Sequence, residues 1–125
     1  MSNAHAELDA RTAAVMQRFN DAFQRHAPEL LDPLIGPDCT LENTTPAPDG
    51  ARHVGRDACL AVWRDIAASR DGNFELERTL VFGERAVIQW RYRWGDGPAD
   101  SVRGLNLMRV QDGLIVEGQG YVKAL

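Results

Sequence analysis

The spacing of apolar residues changes once along this chain, near Asn73, from every three or four residues to every second residue. Before that point the spacing builds one face of a helix. After it, alternation builds half-buried strands. Helices and strands are therefore segregated along the sequence, which predicts an α+β fold rather than an alternating α/β one. The first helix is expected over residues 6–25, where Leu8, Thr12, Val15, Met16, Phe19, Ala22 and Phe23 form one stripe. Pro28 suits the first turn of a short second helix, and Pro33, Gly36 and Pro37 are expected to end it. Residues 39–43 read as a short strand, and residues 44–50 as a loop with two prolines. A third helix over residues 56–70 carries Cys59, Val62, Trp63, Ile66 and Ala67 on its stripe.

Beyond Asn73, Phe74, Leu76, Leu80 and Phe82 form one expected strand face. After a Gly83-Glu84 turn, Ala86, Ile88, Trp90, Tyr92 and Trp94 form the next. Further strands are expected over 102–110 and 114–122, joined at Asp112-Gly113, a strong hairpin signal. The expected architecture is a cone: three N-terminal helices, with a short strand pair inserted, packed in the concave face of a twisted, mostly antiparallel sheet. Helices that stop short of filling that concavity leave a pocket at its open end. The length of 125 residues fits one domain, expected over residues 5–125. Residues 1–4 read as a tag remnant or a disordered N-terminus.

Charge narrows the partners. With 14 Lys plus Arg against 18 Asp plus Glu, the net charge is −4. No basic block is present, so nucleic acid is not an expected partner. No apolar run approaches the roughly 18 residues of a membrane span, and no export signal precedes the first helix. A cytoplasmic, reducing location follows as the expectation, with Cys39 and Cys59 as buried free thiols. The histidines, His5, His26 and His53, show no metal-ligand spacing, so neither a metal nor another cofactor is expected.

Several segments in this order resemble the nuclear transport factor 2-like superfamily, in its SnoaL-like and ketosteroid-isomerase-like branches. They are Gln17-Arg18-Phe19, Pro37-Asp38-Cys39-Thr40-Leu41-Glu42-Asn43 and His53-Val54-Gly55-Arg56-Asp57-Ala58. The likeness continues through residues 102–110 and Asp112-Gly113-Leu114-Ile115. The resemblance implies the cone fold and a pocket, but no one reaction, because this fold hosts isomerases, cyclases, dehydratases, epoxide hydrolases and binding modules. Ketosteroid isomerases carry a tyrosine at the position of Phe19, a general-base aspartate at that of Asn43 and a protonated aspartate at that of Asn106. An amide does not accept and return a proton near neutral pH, and Phe19 has no hydroxyl. The family's isomerisation route is therefore not expected here. Asn106 retains a donor for a carbonyl or oxyanion.

The expected ligand-binding set is Phe19, Asn43, Trp90, Tyr92, Asn106, Met108 and Gly118, and His53 is the candidate proton-transfer group. The last hairpin leaves two registers open. A three-residue loop pairs Val110 with Leu114 and sets Asn106 opposite Gly118. A two-residue turn instead turns Glu117, Gln119 and Tyr121 inward. The resemblance favours the first. The other sheet face mixes Val87, Leu105 and Leu107 with Arg85, Arg91, Arg93, Arg103, Arg109, Glu75, Glu77 and Glu117. Apolar residues on an open face point to an interface, and the resemblance implies a homodimer there. Two functions stand: a cofactor-independent isomerase, cyclase or hydrolase acting on a small, largely apolar organic molecule, or a non-catalytic small-ligand-binding or protein-interaction module.

Overall fold

The stripe of the first helix packs as its spacing demands. In a computed structural model describing residues 3–123, α1 spans Asn3–Gln24 and buries Thr12, Val15, Met16, Phe19, Ala22 and Phe23. Asn3 and Ala4 belong to this helix, while the rest of the expected tag remnant, Met1 and Ser2, lies outside the described residues. Past the end of α1, His26 takes a left-handed conformation, φ 52°. The expected second helix is a 3-10 helix, Pro28–Leu34, with Pro33 inside it. The extended backbone of Ile35, not a proline, ends that element.

Strand β1 is Ile35–Glu42, so it starts before Cys39 and absorbs Gly36 and Pro37. Its pairing with β6 is irregular between Ile35 and Thr40, and a proline without an N–H is tolerated where the ladder is interrupted. β2 (Arg52–Val54) follows, then α2 (Arg56–Ala68), β3 (Asn73–Phe82), β4 (Arg85–Arg93), β5 (Ser101–Gln111) and β6 (Leu114–Val122). The six strands form one sheet in the order β2-β1-β6-β5-β4-β3. β1 runs parallel to β6, and the other pairs are antiparallel. Among the described residues three helices occur, two α-helices and a 3-10 helix, and β1 and β2 stand before α2 as the inserted strand pair.

Two bulges reset which side chains face the core. In β3 the pairing shifts between Leu76 and Arg78. Leu76 pairs with Trp90, but beyond the shift Thr79 pairs with Ile88 and Val81 with Ala86. Leu80 and Phe82 are thus turned to the outer face, where they are 41% and 57% exposed. One inserted residue reverses every later side chain, and alternation alone does not reveal it.

The β5–β6 hairpin does the same. Asp112 and Gly113, at φ 52° and 78°, form a two-residue turn that pairs Gln111 with Leu114. A shift between Arg109 and Val110 then brings Glu117 opposite Arg109, Gly118 opposite Met108 and Gly120 opposite Asn106. The favoured three-residue loop is overturned, yet Gly118 and Gly120 still face the helices, because the bulge offsets the shorter turn.

The core is sealed at the β3–β4 turn. Thr12 Oγ1 donates to the Gly83 carbonyl at 2.7 Å, and the Gly83 N–H donates to Asp9 Oδ1 at 2.6 Å. Gly83 sits at φ 64°, a conformation that costs glycine little. Among the described residues no helix is long and apolar enough to cross a membrane.

Candidate functional site

At the opposite end of the concavity the helices and the sheet do not meet. A cavity of about 100 Å³ remains there, room for several water molecules. From α1 it is lined by Phe19, Asn20, Phe23 and Gln24, and from α2 by Trp63 and Ile66. Leu41, Asn43 and Thr44 close one side, and Phe74, Leu76, Ile88 and Trp90 the other. Asn106 and Gly120 form its floor on the sheet. Its walls are aromatic pairs: Phe19 meets Trp63 edge to face at 5.2 Å, and Phe74 meets Trp90 at 5.3 Å.

The two asparagines are oriented by donors that have no alternative role. The Trp90 indole N–H donates to Asn106 Oδ1 at 3.2 Å. An indole nitrogen only donates, so the amide oxygen must face it and the NH2 group is left over. The Thr44 backbone N–H likewise donates to Asn43 Oδ1 at 2.9 Å. Neither NH2 has a hydrogen-bond partner among the described residues. The cavity is therefore furnished with two amide donors whose acceptor ends are already occupied.

Glycines make this arrangement sterically feasible. A Cβ on Gly104 would overlap the Trp90 ring, so this glycine lets the indole lie across β5 and reach Asn106. Gly50, at φ 77°, approaches Asn43 so closely that a Cβ would overlap the Asn43 carbonyl. The Asn43 N–H donates to the Ala51 carbonyl at 2.9 Å, which ties the end of β1 to that loop. A Cβ on Gly120 would stand 3.0 Å from Thr44 Cγ2 and 3.5 Å from Asn106 Oδ1, inside the cavity.

Phe19, Asn43, Trp90 and Asn106 thus come together around one space. Tyr92 lies further out. It lines a second, more open cavity of about 380 Å³ with Thr45, Asp65, Ser69, Val102 and Val122. Asn43, Thr44, Ile66, Phe74 and Trp90 border both spaces, so they form an inner chamber and an outer one. Met108 is completely buried and lines neither. Nor does Gly118, where a Cβ would lie 2.7 Å from Trp63 Cζ2; the tryptophan ring fills the space that glycine leaves. His53 is half-buried on β2, opposite Leu41, and borders neither chamber. Its carbonyl accepts the Cys59 S–H at 3.7 Å.

Asn20, Gln24, Thr44 and Asp65 escaped sequence reasoning. Asn20 and Gln24 had a usable signal, since they flank the Phe19–Phe23 stripe one residue on. Asp65 had none, because it reads as an ordinary solvated helix residue. Cys39 and Cys59 are free and buried. Burial pushes both thiols up, and Cys59 adds to the effect on Cys39, so they stay protonated and unsuited to nucleophilic attack. Among the described residues no group of three His, Cys, Asp or Glu is placed to hold a metal ion.

A six-stranded mixed sheet curved around two α-helices, with a cavity at its open end, is the nuclear transport factor 2-like class of α+β cone. The chain belongs to the SnoaL-like domain family, whose model matches residues 16–118. It is similar to a Mesorhizobium loti protein of that class, of unknown function, at 57% identity over 93% of each chain, with a TM-score of 0.86. A Kribbella flavida protein provisionally named a ketosteroid isomerase is 20% identical, with a TM-score of 0.77 over 94% of this chain and 81% of that one. An epoxide hydrolase from M. tuberculosis, described as LEH-like, is 19% identical, with a TM-score of 0.71 over 92% and 84%. These last two likenesses are of fold alone. No curated protein sequence matches the chain.

Proposed function

We propose that the inner chamber binds a small, largely apolar organic molecule and grips an acceptor oxygen on it, a carbonyl above all, with the NH2 groups of Asn106 and Asn43. The orientation of these amides by donor-only partners carries this reading. Aromatic walls supply the apolar contact, and the amides supply direction. Among the described residues no carboxylate, imidazole or thiol lines this chamber. That supports binding and polarisation of a carbonyl rather than proton abstraction within it. His53, outside both chambers, is not needed for binding, and His53→Ala should leave the affinity unchanged. The likeness to an epoxide hydrolase and to a provisional isomerase fits a cavity for small organic molecules, but neither protein is close enough to carry its reaction to this chain. Titrating para-methylacetophenone while following Trp63 and Trp90 fluorescence tests the proposal. Saturable quenching that is lost in Asn106→Leu, which has no donor, is expected, and equal quenching in both proteins would refute it.

We also propose that two copies of the chain pair through the outer sheet face. Leu80, Val87 and Leu107 stand opposite one another across three strands, with Phe82 and Tyr121 exposed nearby. Arg85 pairs with Glu117 at 2.8 Å and Arg103 with Glu77 at 2.7 Å, so the flanking charges are matched within one chain. An apolar centre with internally matched charges at its edges is self-complementary across a two-fold axis. Sedimentation should give twice the chain mass of 13.9 kDa, and Leu107→Lys should give the single mass. A wild-type protein that sediments at the single mass would refute pairing.

A further inference from the structure

The two chambers share Asn43 and Thr44 but differ in one group: a carboxylate, Asp65, borders only the outer one. In the inner one, Asn43 and Asn106 offer N–H donors. The outer one is bordered by the Thr44, Thr45 and Ser69 hydroxyls and by Asp65. Among the described residues, Asp65 is the one carboxylate or basic side chain that lines either chamber. It makes no ion pair there, and its neighbour Arg64 is engaged with Asp32 at 2.7 Å. An unpaired carboxylate beside hydroxyl acceptors attracts a cation or a strong hydrogen-bond donor.

We infer that Asp65 is a specificity-determining residue, selecting ligands that carry a protonated amine at the end opposite the acceptor oxygen held by the asparagines. This rests on the inner chamber being the binding site, and it narrows the ligand to a class: a compact aromatic or alicyclic ketone with an ammonium group. Such a molecule places its oxygen on Asn106, its ring between Phe74, Trp90 and Ile66, and its cation at the mouth. The carboxylate is solvent-exposed, so its effect is modest and screened by salt.

Three probes of the same shape test it: para-(aminomethyl)acetophenone, para-methylacetophenone and para-acetylbenzoate, each titrated by tryptophan fluorescence at low and high salt. With wild-type protein the ammonium probe should bind roughly two- to fivefold more tightly than the neutral one, and the carboxylate probe more weakly than both. In Asp65→Asn the affinities should converge, and in Asp65→Lys the order of the two charged probes should invert. Wild-type discrimination that persists in Asp65→Asn, or is absent from the start, would overturn the role of Asp65 and leave the pocket reading intact. Failure of the neutral ketone to bind wild-type protein would instead remove the pocket reading, and this inference with it.

Discussion

The closed and open ends of the concavity are built on the same strands, yet one is solid and the other hollow. At the closed end β4, β5 and β6 contribute Ala86, Met108, Val110 and Ile115 to the inner face, all at most 3% exposed. At the open end the same three strands contribute Trp90, Gly104, Asn106 and Gly120. The β4–β5 pairing is continuous between the two, and the β5–β6 pairing is interrupted only by the shift between Arg109 and Val110. Side-chain volume is what differs: two glycines and an asparagine stand where the closed end has branched or long apolar chains. Gly118 marks the border, since its missing side chain is replaced by the Trp63 ring, whereas that of Gly120 is replaced by nothing from the helices. A strand can thus pass from core to binding site within two residues without changing its conformation.

This contrast breaks if substitutions at the two ends behave alike. Met108→Ala removes a fully buried side chain from the closed end and should cost about 2–5 kcal/mol of unfolding free energy, measured by denaturant titration. Gly50→Ala forces a side chain into a left-handed position against the Asn43 carbonyl. It should cost about 1–3 kcal/mol and also weaken ketone binding, because Asn43 is displaced. Asn106→Leu at the open end should change the midpoint of thermal unfolding little. Replacing the amide by a side chain with no donor should weaken ketone binding tenfold or more, on the order of 1–3 kcal/mol.

The smallest effect belongs to the outer face. The hydrogen bond from Arg103 holds the Glu77 carboxyl below its ordinary value of 4.5, with Gln89 adding to it. A lowered folded value means the contribution is present above the unfolded value and fades as pH falls through the lower folded one. Glu77→Gln should therefore reduce stability slightly near neutral pH and flatten its decline below about pH 4, read from thermal midpoints.

Much of this was legible in the sequence, and the failures share one cause. Phe19, Asn43, Trp90 and Asn106 were identifiable because helical and strand spacing, with the family resemblance, puts them on one side. Leu80 and Phe82 were assigned to the wrong face because the extra residue in β3 leaves no trace in an alternating pattern. The β5–β6 turn was misread for a related reason: a short turn plus a bulge gives the same inward glycines as a longer loop. Gly118 was expected to border the ligand, but whether a glycine opens space depends on what the opposite helix places there. The outer chamber was invisible, since residues from the loop after β1, from α2 and from the ends of β3 to β6 meet only after folding.

The carbonyl stretching frequency of bound para-methylacetophenone, labelled with carbon-13 at the carbonyl and observed by difference infrared spectroscopy, tests the central claim most directly. Donation from the Asn106 and Asn43 amides weakens the C=O bond, so the band should move to lower frequency than in an apolar solvent and return part of the way in Asn106→Leu. A bound ketone whose band sits at its apolar-solvent position in wild-type protein, or is unmoved by Asn106→Leu, would contradict it.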